Sequence, residues 1–445
     1  MPFINKFCRS ITLFIGFLYV IDASAVLPIQ KIDLPSGAKL FYVEAKTIPM
    51  VNIGIDFPGG RAYDPSNKVG VADLTAGLMN KGSRINGKEK DEAFIADSIS
   101  DLGSMISFNA SIETSSVRIK TLSKPEILNA VVAQASDMLA YPVMNSKILE
   151  REKSLEISGL LESMTKPEYI VGKQFKKMIY RENPLGNKET VESIKKIQIE
   201  DLKKFHQMYY RANYMNVLIV GDVSRDKAID IATQLTQKLP TGQKVVVDLP
   251  PLLASPLADS SQRESKISHP SAQAHIQMGM TSPPRKDPDY FPLMVGNYAL
   301  GGGGFVSRLM QEIREKRGLA YSVSSYFYPA KNSGYFIASM QTRKDQSNES
   351  VKLLGDTIEK FIDEGPTEDE VIAAKNNLIN GFPLRLDSNS KLLENLSAIA
   401  WFDLPLDTLD EWTNQVKKVT KTDVQQAFKK NLEMKRMITV VVGGQ

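Results

Sequence analysis

Two short apolar runs constrain the fold of this chain more than any other feature: MNVLIVG at 215–221 and MITVVVG at 437–443. Each is rich in β-branched residues, too short for a buried helix, and closed by a glycine, the pattern of a strand covered on both faces. Each follows a helical segment and an asparagine-containing turn, at 205–213 and 424–431. The regions ahead of them also open alike, with alternating strands at 51–57 and 274–280. The chain therefore reads as a duplication of a unit of roughly 200 residues. Between the copies, 239–271 is rich in Pro, Ser and polar residues and reads as a connection. The expected organisation is a first domain at 26–240, a linker at 241–270 and a second domain at 271–445. Strands and helices mix without strict βαβ alternation, so the expected class is α+β.

The N-terminus has a different character. Lys6 and Arg9 precede an apolar run at 11–21, and Ala23-Ser24-Ala25 offers a small-residue cleavage site. Residues 1–25 read as a secretory signal peptide cut before Val26. The run is short for a membrane span, so no stable span is expected after cleavage; an uncleaved anchor is the alternative. Cys8 is the only cysteine, which leaves the exported chain without disulfides or a thiolate nucleophile. A large, cysteine-free exported protein fits a bacterial periplasm. With 55 basic and 51 acidic residues, the charge is near balance and no nucleic-acid surface is expected.

Candidate chemistry concentrates in 301–321, GGGGFVSRLMQEIREKRGLAY. Ser307 is placed to cap a short helix, and Leu309, Met310 and Ile313 make one apolar face. Glu312 and Lys316 form an i,i+4 pair, Gly318 suits the helix end, and Tyr321 starts a strand. On spacing alone, Arg314 complements the helix C-terminal dipole. Gly301, Gly302, Gly303 and Gly304 lack a Walker lysine and suit a close backbone approach, to another part of the protein or to an extended peptide. His206, His269 and His275 have no i,i+4 spacing and read as ordinary core or surface residues. No serine lies in a G-x-S-x-G context.

Taken together, Ser307-Arg308-Leu309 through Arg314-Glu315-Lys316-Arg317-Gly318-Leu319-Ala320-Tyr321 resembles the C-terminal-half signature of pitrilysin/insulinase-type zinc peptidases, close to mitochondrial processing peptidase. Pro58-Gly59-Gly60-Arg61-Ala62-Tyr63, Gly381-Phe382-Pro383-Leu384-Arg385-Leu386 and Leu404-Pro405-Leu406-Asp407 match further landmarks of that family, and the likeness covers nearly everything after Gln30. It implies two homologous half-shell domains, each a mostly antiparallel sheet covered by helices.

The family's zinc site is an inverted H-x-x-E-H on a helix with a glutamate downstream; the glutamate inside the motif acts as base on metal-bound water. Here Asp73 and Gly77 stand where the histidines belong and Ala76 where the base belongs. The distal position is Glu156 or Ser158, depending on register. The resemblance thus implies no metal or other cofactor on this chain, and zinc in a partner. Similar enzymes use an arginine and a tyrosine seven residues apart to hold the substrate backbone, which Arg314 and Tyr321 match. A guanidinium and a phenol can donate to peptide carbonyls and steady an oxyanion. The expected role is the non-zinc, substrate-binding subunit of a heterodimeric peptidase acting on peptides or unfolded segments, beside a homologous chain with H-x-x-E-H intact. The rival expectation is a non-enzymatic binding or scaffold protein on the same fold.

Overall fold

A computed structural model describes residues 28–242, 249 and 260–444. The expected signal peptide and much of the expected linker lie outside the described residues. Thirteen strands are present among them. The first half holds β1 (Gln30–Asp33), β2 (Lys39–Glu44), β3 (Met50–Pro58), β4 (Gly82–Ile85), β5 (Lys88–Asp91), β6 (Met105–Ala110), β7 (Thr114–Leu122) and β8 (Asn216–Gly221). The second half holds β9 (Glu264–Ile267), β10 (Gln273–Ser282), β11 (Ala320–Tyr328), β12 (Gly334–Arg343) and β13 (Ile438–Val442). One sheet runs β1-β2-β8-β3-β7-β6 and the other β11-β12-β10-β13-β9, while β4 and β5 form a separate hairpin.

The two sheets are copies. In the first, β2 runs parallel to β8 and every other pairing is antiparallel; in the second, β9 runs parallel to β13 and the rest are antiparallel. The last long strand of each copy, β8 or β13, returns to the sheet interior beside the alternating strand β3 or β10. That is why both apolar runs are hydrophobic at consecutive positions, since a strand buried on both faces has no polar side to show. The helices follow the same order. In each half the second sheet hairpin, β6–β7 or β11–β12, is followed by helices Pro125–Ala140, Ser146–Ser163 and Pro167–Tyr180, or Ser347–Glu364, Glu368–Gly381 and Asn389–Phe402. The class is α+β, as the sequence indicates.

Each sheet has one face on its own helices. The other face is covered by a helix of the opposite copy. Pro167–Tyr180 packs on β13 and β10, putting Val171, Phe175 and Ile179 against Ile337, Ile438, Val440 and Val442. Asn389–Phe402 packs on β8 and β3, putting Leu392, Leu393 and Leu396 against Phe41, Val43, Leu218 and Val220. The two exchanged helices hold equivalent places in their copies. Polar links pin the second crossing: Asn52 Nδ2 donates to Ser390 Oγ at 2.9 Å, and buried Asp56 accepts from Ser397 Oγ and, at 2.6 Å, from Arg118 Nη1. Helices covering a sheet were expected within each half; the reciprocal exchange was not.

Candidate functional site

The helix Val71–Leu78 starts after Gly70, whose φ of 116° brings the chain in at a sharp angle. Buried Asp64 caps this start, its carboxylate accepting from Gly70 N at 2.8 Å and Ala72 N at 2.9 Å. Val71, Ala72, Leu74, Thr75, Ala76 and Leu78 are buried, and small side chains let the helix lie close to its neighbours. Asp73 and Gly77, one turn apart, share the half-exposed face. Nothing within 4 Å would meet a Cβ at Gly77, so that position is open space, while Ala76 points into the core.

Asp73 is not free. Arg61, from the turn after β3, places Nη1 3.3 Å from its Oδ1. Glu156 on the helix Ser146–Ser163 faces the same place, with Oε1 3.7 Å from where a Cβ on Gly70 would stand. Ser158 is exposed and donates to Ser154 O at 2.9 Å, so of the two distal candidates the structure brings only Glu156 to the helix. Glu189 joins the group electrostatically, and its Oε2 is buried without a hydrogen-bond partner among the described residues.

Burial and mutual repulsion push these carboxyls up. Asp73 rises to about 6, mainly by burial and against the pull of Arg61. Asp64 rises to about 7, again by burial, despite its two amide hydrogen bonds. Glu156 rises to about 8, by burial and then by the charges of Asp73, Glu189 and Asp64. This set does not fit a zinc ion. It offers no nitrogen ligand, burial favours the protonated form of Glu156 and raises Asp64 toward neutrality, and a guanidinium already occupies the front of Asp73. Among the described residues no group of three or more His, Cys, Asp or Glu side chains is arranged to hold a metal. His206 is likewise committed elsewhere, its Nε2 2.8 Å from Leu139 O and its ring stacked on Tyr210 at 5.0 Å. His269 meets Thr165 O at 3.1 Å, and His275 pairs in β10.

In the second half, residues 301–321 fold differently from an ordinary amphipathic helix. Tyr298–Gly302 and Met310–Glu315 are π-helical turns, with a 3₁₀ turn at Gly304–Val306 between them. Ser307 has the extended backbone of a cap, but its hydroxyl donates back to Gly304 O at 2.7 Å instead of accepting from the helix. Leu309, Met310 and Ile313 are buried as their spacing indicates. Gly318, at φ 63°, ends the helix by donating to Arg314 O at 2.8 Å, and Leu319 N donates to Ile313 O at 3.0 Å. The wide turn is what gives this closure its long reach.

Three arginines sit on this segment, and two are tied down. Arg308 holds Glu370 at 2.7 and 2.6 Å and also Gly365 O; Arg317 holds Glu312, which Lys316 shares at 2.6 Å. Arg314 differs. Its guanidinium lies 4.9 Å from the Phe305 ring centroid and 5.8 Å from that of Tyr321, and its nearest carboxylate, Glu315, is 3.8 Å away. Among the described residues it donates no hydrogen bond within normal range. Two rings thus lie within cation–π range of it while no hydrogen bond of normal length occupies its N–H groups among the described residues, an arrangement suited to binding a carbonyl or carboxylate. Tyr321 is 79% exposed, and Phe305 and Val306 beside it are also exposed.

The four glycines are less open than their spacing suggests. A Cβ on Gly301 would stand 2.6 Å from Ser325 N and 2.7 Å from Leu309 Cδ1, and one on Gly302 2.8 Å from Asn297 Nδ2. Gly303 is similarly close to Tyr298 O, at 2.7 Å. The close approaches at these three positions are to the chain's own atoms; only Gly304, at φ 62°, faces open space. The Val71–Leu78 helix and the Arg314 turn share none of their main packing partners: the first lies on Ser146–Ser163, Ile199–Tyr209 and β6, the second on β11 and Ser347–Glu364. The residues that sequence reasoning missed are Arg61, Asp64, Glu189 and Phe305. Only Asp64, six residues before a helix-opening glycine, left a local signal.

This fold, a duplicated sheet unit with a metal-type helix after the first long strand, is that of the peptidase M16 fold family, and comparison places the chain there. Residues 40–190 match the profile described as insulinase (peptidase family M16), and residues 196–378 match that described as peptidase M16 inactive domain. The chain belongs to the peptidase M16 family, as an inactive-type member. It is similar to the non-peptidase homolog YmxG of Helicobacter pylori, 26% identical over 97% of each chain. It is also similar to the crystal structure of a peptidase M16 inactive domain from Pseudomonas fluorescens, at 30% identity and a TM-score of 0.88, covering 94% of this chain and 98% of that one. The fold is shared with the periplasmic protease PqqL from Escherichia coli, at 15% identity and a TM-score of 0.77, all of this chain covering 49% of that one.

Proposed function

We propose that this chain is the non-zinc, substrate-binding subunit of a two-chain zinc metallopeptidase, working in the periplasm on peptides or unfolded segments. The observation that carries the reading is the loosely held guanidinium of Arg314, beside the rings of Phe305 and exposed Tyr321 with Glu315 no nearer than 3.8 Å, on a chain with Asp73, Ala76 and Gly77 at the motif positions. Zinc and the general base then come from a homologous partner with H-x-x-E-H intact. Arg314 and Tyr321 hold the peptide backbone and donate to the developing oxyanion in trans. The periplasmic setting rests on the signal-like N-terminus.

The test is reconstitution. Purified alone, the chain should carry no stoichiometric zinc and cleave no peptide. Mixed with an H-x-x-E-H homologue from the same genome, it should form a stable complex whose turnover depends on both chains. Zinc-dependent cleavage by the lone chain would sink the reading, as would a complex indifferent to Arg314→Ala. A second reading, a non-enzymatic binding or scaffold protein on the same fold, is favoured by the packing of Gly301, Gly302 and Gly303 against the chain's own atoms, which accounts for those glycines without a substrate. It predicts assembly with no gain in turnover.

A further inference from the structure

A cleft of about 630 Å³ opens between the two copies, away from the Arg314 stack, none of whose residues lines it. Lys31 and Lys39 enter from the first sheet; Arg285, Lys286 and Lys331 enter from the turns after β10 and β11. Against these five cations stand two carboxyls, Glu113 and Asp403. Lys286 pairs with Asp403 at 2.9 Å, and the charges of Lys31 and Lys39 add to its effect in holding that carboxyl below its usual range. The ammonium groups of the first sheet therefore act across the cleft on the second copy. Glu113 is pushed up by burial even with Lys331 beside it, which weakens it as a counter-charge.

Arg285 is the decisive residue. Its guanidinium stacks 3.5 Å from the Tyr290 ring centroid, it is half-buried, and it has no carboxylate partner among the described residues. Burial lowers its pKa, which means the charge is held where water solvates it poorly. A desolvated, unpaired guanidinium is costly unless an anion completes it. Aromatic walls alternate with the cations: Lys331 Nζ lies 4.7 Å from the Trp401 ring centroid, and Tyr63 and Tyr209 line the floor.

We propose that this cleft binds an acidic peptide segment, its carboxylates reaching Arg285 and Lys331 on one copy and Lys31 and Lys39 on the other, with apolar side chains against Trp401. Charges on both walls favour a chain with spaced carboxylates over a compact anion, which cannot span them. The site is distinct from the one proposed for catalysis in trans, and it does not require a partner subunit.

The experiment uses the full chain alone and a fluorescein-labelled hexapeptide alternating Glu with Leu, read by fluorescence anisotropy. Saturable binding that weakens steeply as salt is raised from about 50 to about 300 mM is the expected result. The double variant Arg285→Gln/Lys331→Gln should weaken binding by about 10-fold or more. Lys31→Glu/Lys39→Glu, on exposed strand positions where folding is unaffected, should do the same. Lys203→Glu, on the surface elsewhere, should leave affinity unchanged. The proposal is overturned if the peptide does not bind, if both double variants bind like the parent, if a Lys/Leu peptide binds equally well, or if inorganic phosphate displaces the peptide at equal concentration.

Discussion

Beside the first sheet, carboxyls crowd around a single arginine; beside the second, two arginines hold carboxylates closely and a third holds its neighbour only at long range. Asp64, Asp73 and Glu156 are all pushed up, and Arg61 is spent on Asp73. In the second half Glu312 and Glu370 are held low by the cations they neutralise, and Arg314 keeps only a long contact of 3.8 Å to Glu315. Both neighbourhoods hang on the same strand order and the same helix sequence. The lesson is that the duplicated scaffold sets where a functional side chain can stand but not its charge state, which is decided by who is already paired.

The widest separation of the two halves should come from activity. In a reconstituted complex, Arg314→Ala should lower turnover by about 10²-fold, the usual loss for one oxyanion donor, and Arg314→Lys should not restore it because an ammonium lacks the planar, forked donor set of a guanidinium. Arg61→Ala should leave turnover nearly intact, measured by the same peptide assay. Equal losses for both variants would erase the comparison.

The next effect is on pH dependence. Carboxyls whose folded pKa is raised bind more protons folded than unfolded, so their contribution is full below about pH 4 and is lost as pH rises through about 6 to 8. The unfolding free energy from urea titrations should therefore fall by on the order of a few kcal/mol as pH rises from 5 to 8, and Glu156→Gln should flatten that slope. A flat profile in the parent would show that the cluster is not coupled to folding.

Smaller still, Arg61→Ala should destabilise the chain by about 2 kcal/mol at pH 8 and by less at pH 5, where Asp73 takes up a proton and no longer needs a counter-charge. Gly301→Ala, which drives a methyl group into Ser325 and Leu309, should cost about 1 kcal/mol or somewhat more by thermal melting, with no change in the pH slope.

Much of the scaffold was legible because it is written in local pattern. The runs at 215–221 and 437–443 became β8 and β13, the helix Pro125–Ala140 opens on its proline, and Ser146–Ser163 opens on Asn145, whose side chain accepts from Lys147 N and Ile148 N. The hairpin β4–β5 is also written locally, since Asn86-Gly87 at φ 49° and 75° is the dipeptide that favours a tight hairpin turn. Other features were not written locally. Nothing in Pro167–Tyr180 names β13, about 260 residues further along the chain, as its partner, since periodicity reports which face is apolar and not what covers it. Arg61 looked like part of a strand-end landmark because its role depends on Asp73 folding back to meet it. Neither the π-helical turn at Met310–Glu315 nor the backward bond of Ser307 to Gly304 O can be read from residue spacing.

The exchanged helices carry a consequence for ancestry and for engineering alike. A copy that once folded alone would have covered its own sheet; here each lends Pro167–Tyr180 or its equivalent Asn389–Phe402 to the other. Deleting either copy would strip a face bearing Phe41, Val43, Leu218 and Val220, or Ile337, Ile438, Val440 and Val442, and such bare apolar faces aggregate. The duplication is therefore locked: side chains such as Asp73 and Gly77, on the half-exposed face of their helix, can change without uncovering either sheet, whereas neither body can be removed without doing so.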